Sequence, residues 1–316
     1  MTPVLSLDRV VKTFGPVRAV SDLTLVVAPG ERLGLIGPDG AGKTTALRLM
    51  CGLLKPDAGT VRLFGADPFR ATRAAAASIG YVSQRFSLYG DLSIDENIAF
   101  FARLHGVPRF AERRDRLLDV TGLLPFRSRL ADQLSGGMKQ KLALACTLVH
   151  EPRVLILDEP TTGVDPVSRR EFWTLLAEFR SQGLTAVLAT PYLDEAEGCD
   201  RVALIRGGRV LALDSPSALR ASDATLMLEV VASPLRQALG VLRARLGDDD
   251  VSSFGDRLHA RVPDAETGRA IEMWLADAHI SVTRVRPILP TLEDVFIEQV
   301  RRAEVQEQGT GAGGQL

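Results

Sequence analysis

The segment from Arg32 to Leu54 constrains the fold more than any other part of the chain. A short apolar run, Leu33-Gly34-Leu35-Ile36, leads directly into Gly37-Pro38-Asp39-Gly40-Ala41-Gly42-Lys43-Thr44. Ala46, Leu47, Met50, Leu53 and Leu54 then recur at helical spacing, closed by Lys55-Pro56. Strand, glycine loop, helix is the context required by the pattern GxxxxGK followed by Ser or Thr. Its glycines let backbone N–H groups converge on phosphate oxygens, its lysine adds positive charge, and its hydroxyl is placed to ligate a metal. The helix expected over 43–54 points the positive end of its dipole at the same oxygens.

Strand and helix patterns alternate around that loop. Val4, Leu5, Leu7 and Val10, then Leu23, Leu25 and Val27, alternate between the turn signals Gly15-Pro16 and Pro29-Gly30, which predicts antiparallel strands. From Asp95 to about Leu148 the pattern is helical, with stripes at Ile94, Ile98 and Phe101, at Leu117, Leu118 and Thr121, and at Leu142, Ala145 and Leu148. Strands are expected at Val154 to Leu157, Thr185 to Ala189 and Val202 to Ile205, with a helix from Arg169 to Arg180. This alternation implies a largely parallel sheet interrupted by a helical insertion at about 86–150, the whole forming a first domain over 1–220. Composition shifts near Ser215 to Asp223. Residues 221–302 then follow an approximate βαββαβ order plus a helix, a small α+β domain of ferredoxin-like type. Thr291 with Asp294 forms the capping-box pattern that opens the last helix, expected to end about Arg302, and 303–316 is expected to be a disordered tail.

Of the 316 residues, 46% are hydrophobic and 24% charged, enough for a substantial core. The formal net charge of −1 offers no basic excess for a phosphate backbone, so nucleic acid is not an expected partner. Cys51, Cys146 and Cys199 lack the spacing of a disulfide framework or zinc site. Cys51 and Cys146 sit in apolar helical stretches and read as small buried hydrophobes. No signal segment leads the chain and no run reaches the roughly 18 apolar residues needed to cross a bilayer. If the protein works at a membrane, another chain must supply the pore.

Two further motifs decide what kind of phosphate site this is. Leu134-Ser135-Gly136-Gly137-Met138-Lys139-Gln140 opens another helix whose N–H groups suit an anion, one more such site than a single nucleotide in one chain needs. Val154-Leu155-Ile156-Leu157-Asp158-Glu159-Pro160 ends an apolar strand on an acid, where charge is costly unless it meets a metal through water or a hydrogen bond. Glu159, one residue beyond, is placed to accept a proton from an attacking water.

In this order the motifs resemble the ATP-binding cassette (ABC) family over about residues 4–220. Pro290-Thr291-Leu292-Glu293-Asp294-Val295-Phe296 is similar to the C-terminal module of stand-alone exporter ATPases of the drug-resistance type. The resemblance implies an α/β P-loop NTPase fold, a RecA-like core with an antiparallel β subdomain and a helical insertion, plus the small C-terminal domain. It implies ATP and Mg²⁺ as ligands. The nucleotide would be held by Gly37, Pro38, Asp39, Gly40, Ala41, Gly42, Lys43, Thr44 and Thr45, with Lys43 reaching the β and γ phosphates. The metal would be held by Thr44, Asp158 and Gln84, with Glu159 as general base. Phe14 matches the position of the adenine-stacking aromatic, usually tyrosine, although an aromatic in a strand-turn is also an ordinary core residue. Ser135, Gly136 and Gly137 would contact the γ-phosphate held by a second cassette, across an interface that Thr162-Gly163-Val164-Asp165 also crosses. Gln84, after Gly80-Tyr81-Val82-Ser83, falls where the family joins core to insertion and faces a transmembrane partner. The aromatic cluster of Phe86, Leu88, Tyr89, Phe100 and Phe101 reads either as insertion core or as part of a socket for a permease helix.

The expectation is therefore a cytoplasmic ATPase subunit, peripheral on the inner face of the cell membrane, that dimerises on ATP and drives export through a separate membrane permease. Two further residues depart from the family pattern. Asp39 stands where asparagine is usual, and Pro191 stands where the switch segment Thr190-Pro191-Tyr192-Leu193-Asp194-Glu195-Ala196-Glu197 carries histidine. Proline offers neither a side-chain donor nor a backbone N–H. None of the four histidines, His105, His150, His259 and His279, occupies that place, and structural roles are expected for all. Pro191 motivates a second reading, a nonhydrolytic regulatory cassette of an asymmetric pair. A soluble cassette of translation or DNA maintenance expects two cassettes in one chain or a long coiled coil, and the sequence has neither.

Overall fold

The computed structural model describes the chain except residues 1, 71–76, 85–86, 182, 223–225, 265 and 312–316, and the side chains of 180–181 and 305–311. It divides into two compact units, Met1–Pro216 and Ser217–Leu316.

In the first unit, strands β3 (Arg32–Ile36), β6 (Val154–Asp158) and β7 (Thr185–Thr190) are buried at every residue. Continuous apolar runs of this kind suit a parallel sheet covered on both faces. With β5 (Ile79–Val82), β8 (Arg201–Arg206) and β9 (Arg209–Asp214) they form a six-stranded sheet of order β5-β6-β7-β3-β8-β9. All neighbours are parallel except β8 and β9, whose hairpin turns through Gly207 and Gly208 at φ 55° and 75°. Strand β9 was not apparent from the sequence. A second sheet, antiparallel in the order β2-β1-β4, comprises β1 (Leu5–Phe14), β2 (Val17–Val27) and β4 (Ala58–Leu63). One apolar core joins both sheets to helix α1 (Lys43–Met50) through Leu7, Leu25, Leu35, Leu47, Met50 and Ile156.

Helix α1 is shorter than the expected 43–54. Gly52 turns at φ 70° and ends it, leaving Leu53 65% exposed. The insertion carries α2 (Ile94–Leu104), α3 (Ala111–Val120) and α4 (Gly136–Leu148), and α4 packs on α5 (Pro166–Ser181). Ser93 and Glu96 form a complete capping box at the start of α2. Within the insertion Tyr89 meets Phe100 edge to face at 4.5 Å, and Phe100 meets Phe101 at 5.4 Å. Phe86 lies outside the described residues. A short helix, α6 (Leu193–Ala196), follows β7.

The second unit begins within helix α7 (Pro216–Ser222), at Ser217, and continues with β10 (Leu226–Ser233), α8 (Leu235–Leu246), β11 (Val251–Phe254), β12 (Arg257–Val262), α9 (Glu266–Asp277), β13 (Ser281–Ile288) and α10 (Leu292–Gly311). Its antiparallel sheet has the order β11-β12-β10-β13, the split βαβ arrangement. Leu228, Val230, Leu258 and Ala260 face α8 and α9 in one core, while Glu229, His259 and Arg261 alternate onto the other face and are paired there. Thr291 and Asp294 cap α10 reciprocally. That helix does not stop near Arg302: of the tail expected to be disordered, 303–311 continue it and 312–316 lie outside the described residues.

Candidate active site

The carboxyl ends of β3, β6 and β7 converge, the place where parallel α/β sheets carry their sites. Ile36 is in register with Thr190, and Asp158 with Ala189, so the glycine loop, the acid pair and the segment around Pro191 begin at one height.

Two glycines of the loop cannot carry a side chain. A Cβ on Gly42, which sits at φ 100°, would lie 2.3 Å from the Ala19 carbonyl oxygen, and one on Gly37 would lie 2.1 Å from that of Ile205. Ala41 donates its N–H to the Pro38 carbonyl at 3.1 Å, while Asp39 and Gly40 are exposed. Helix α1 opens on Lys43, and Thr44 and Thr45 in its first turn are half-buried.

Lys43 is 4% exposed and donates from Nζ to the carbonyls of Gly37 at 2.8 Å and Pro38 at 3.1 Å. The same ammonium lies 3.3 Å from Glu159 Oε1. Thr44 Oγ1 donates to Asp158 Oδ1, and the Tyr81 hydroxyl donates to Asp158 Oδ2, both at 2.8 Å. Burial, then the bond to Asp158, push the Tyr81 phenol well above its ordinary range. Cys51, beneath the loop, is likewise pushed up to about 12 by burial and by the charge of Asp158.

Glu159 adopts φ 50°, left-handed backbone that costs a non-glycine residue strain. Its N–H donates to the Ala189 carbonyl at 2.9 Å, and its Oε2 accepts from Gln84 Nε2 at 3.0 Å and Thr162 Oγ1 at 3.4 Å. Two hydrogen-bonded sets on adjacent residues, Lys43 and Gln84 on Glu159 and Thr44 and Tyr81 on Asp158, make up the polar network of the site. Gln84 belongs to the Glu159 set rather than the Asp158 one.

The other candidates stand apart from this network. Phe14 ends β1 at 49% exposure, with the Lys12 ammonium 5.6 Å from its ring centre, so it is not a core residue. Ser135 caps α4 by accepting from Met138 N–H at 3.3 Å, and no hydrogen bond among the described residues joins Ser135, Gly136 or Gly137 to the loop. A Cβ on Gly137 would lie 2.4 Å from Ser168 Oγ, whereas one on Gly136 meets nothing within 4 Å. Asp165 accepts from the N–H groups of Val167 and Ser168 as α5 begins, and the Ser168 hydroxyl first, then these N–H groups, hold its carboxyl below the usual range.

Sequence reasoning missed Tyr81, whose hydroxyl reaches Asp158 only because β5 lies beside β6, and it did not foresee how the Pro191 segment is held. Thr190 Oγ1 donates to Glu195 Oε2 at 2.5 Å, and Thr161 Oγ1 donates to Glu195 Oε1. The chemistry available is a buried ammonium for phosphate oxygens, a hydroxyl and carboxylate set of hard oxygens that suits Mg²⁺, and a second carboxylate beside them.

The ABC transporter family model matches residues 20–162. Over 310 residues the chain is 39% identical to the Nod factor export ATP-binding protein I of Paraburkholderia xenovorans (strain LB400), covering 96% of this chain and 98% of that protein. The chain belongs to the ATP-binding subunits of ABC transporters. The cassette is also 50% identical over 203 residues to a probable multidrug ABC transporter ATP-binding protein of Escherichia coli (strain K12), covering 64% of this chain. It spans only about a third of that relative's length, 35%. Among solved structures, cbiO1 from Clostridium perfringens, part of the ABC transporter complex cbiONQ, is similar with a TM-score of 0.64 at 28% identity, over 78% of this chain and 96% of that one. These neighbours share the ABC cassette fold. No helix among the described residues is long and apolar enough to cross a membrane.

Proposed function

We propose that this ABC subunit hydrolyses ATP with Mg²⁺ between two facing cassettes, and that closing and reopening of the pair drives export through a separate membrane permease. The observation that carries the reading is the placing of two polar pairs on adjacent acids at the end of β6, Thr44 on Asp158 and Lys43 on Glu159. Lys43 holds phosphate oxygens in the glycine loop. Thr44 and Asp158 hold the cation, which supplies neutralisation of charge developing on the phosphoryl oxygens when bound. Gln84, now on Glu159 Oε2, orients that carboxylate, and its carbonyl oxygen, which accepts no hydrogen bond among the described residues, is the group that would face the metal. Glu159 accepts the proton of the attacking water.

A second cassette is supported by Gly136. Nothing in this chain's described packing demands a glycine there, and an exposed serine–glycine helix start is suited to phosphate held by another copy or a relative. Export is supported by the likeness, over nearly the full length of both chains, to the Nod factor export ATP-binding protein. A subunit of this kind sits on the inner face of the cell membrane, bound to its permease. Glu159→Gln tests the assignment: kcat is expected to fall by about two orders of magnitude or more, with ATP affinity retained. Equal turnover in the variant removes Glu159 from the role.

Pro191 favours one alternative, a nonhydrolytic partner in an asymmetric pair. ATP binding without turnover in the assembled complex, insensitive to Glu159→Gln, selects that reading.

A further inference from the structure

We propose that Glu195 is the positioning residue that straps the segment around Pro191 to the loop following the general base Glu159, so that the two move as one body. The inference rests on the hydrolytic reading of Glu159, but the contact behind it does not.

Glu195 is buried, with a side chain 2% exposed, and an acid so placed needs several donors to remain in the interior. It has donors from three elements. Thr190, the last residue of β7 and the one before Pro191, donates to Oε2. Thr161, two residues past Glu159, donates to Oε1. The Arg169 guanidinium from α5 lies 3.9 Å from Oε1 and pairs with Asp194 at 3.1 Å. Arg169 also stacks on Tyr192, the residue after Pro191, at 4.7 Å. The segment 190–195 is therefore held on both sides by residues that flank the Thr162-Gly163-Val164-Asp165 loop.

This arrangement gives the switch segment a fixed relation to Glu159 that needs no side chain at position 191. Glu159 is already tied to β7 through the Ala189 carbonyl, and Thr161 to Glu195 closes a second tie within two residues. A backbone segment held by one tie can pivot about it; a second tie two residues on restrains that pivot.

The test uses the full chain. Thr161→Val is nearly isosteric and removes one tie, and Glu195→Gln alters both. Each is expected to lower kcat about tenfold while KM for ATP shifts less than about twofold, and the double variant is expected to be no slower than the slower single one. Thr161→Ser, which keeps the hydroxyl, is expected to retain wild-type kcat. Hydrogen exchange is measured in parallel without nucleotide: amides of 159–165 are expected to exchange about tenfold faster in Thr161→Val while those of β7 hold. Unchanged kcat and exchange in both variants, or multiplicative losses in the double variant, overturn the proposal. If the wild type shows no turnover, the hydrolytic reading fails, and the exchange data alone decide whether the strap exists.

Discussion

Gly40 and Gly42 both have left-handed backbone, at φ 77° and 100°, yet they impose different demands. A Cβ on Gly40 meets nothing within 4 Å, so Gly40→Ala adds only backbone strain, about 1 kcal/mol. A Cβ on Gly42 meets the Ala19 carbonyl at 2.3 Å, so Gly42→Ala forces a backbone shift as well and is expected to cost about 3 kcal/mol. Urea titration of both variants checks the order; equal midpoints contradict it. Thiol chemistry follows the same local logic. With Cys51 held near 12 by burial and Asp158, its thiolate is scarce at neutral pH, so N-ethylmaleimide is expected to label Cys51 of the folded chain far more slowly than the unfolded chain.

Helix α2 illustrates what a local pattern can specify. Ser93 and Glu96 satisfy each other's backbone N–H groups, and Ser93→Ala is expected to lower stability by about 1 kcal/mol, read by denaturant unfolding. Helix α1 shows the limit: the apolar spacing continued past its end, but Gly52 at φ 70° turned the chain and left Leu53 in solvent. Between the insertion and the core, His105 and His150 stack at 3.8 Å, and His150 Nε2 lies 3.1 Å from the Ile79 carbonyl. Burial lowers the pKa of both, and the charge of His105 lowers that of His150 further. The folded state thus binds fewer protons than the unfolded one. Stability from this pair is complete above the unfolded value of about 6.5 and declines as pH falls below it. Thermal melts from about pH 8 to about pH 5.5 are expected to show a smaller decline in His105→Phe, which keeps the stack and removes one titrating ring.

Across the whole molecule, each unit has its own core and its own buried charge. In the second unit Glu229 accepts from Arg286 at 2.8 Å and Arg257 at 3.0 Å, with Arg284 at 3.8 Å, and the guanidiniums of Arg286 and then Arg257 hold its carboxyl down to about 2. A depressed carboxylate contributes stability that is complete above its unfolded value and is lost as pH falls through the folded one. The stability difference between wild type and Glu229→Gln is therefore expected to stay constant above about pH 4.5 and to shrink toward about pH 2. A difference that shrinks already near neutrality argues against this assignment.

Contiguous residues were enough to name the family, the glycine loop, the acid pair and the helical insertion, because backbone geometry, acids at strand ends and helix starts are written in short runs of sequence. What tertiary structure alone decided were contacts between residues far apart in the chain: Tyr81 on Asp158, Gln84 on Glu159, Thr161 and Thr190 on Glu195, and Ser168 against Gly137. These follow from the register of β5, β6 and β7 and from the packing of α4 on α5. Register and packing are settled by the burial of whole faces at once, and no local stretch of sequence encodes them. Pro191 was legible as a departure; that its neighbours are fastened through a buried glutamate was not.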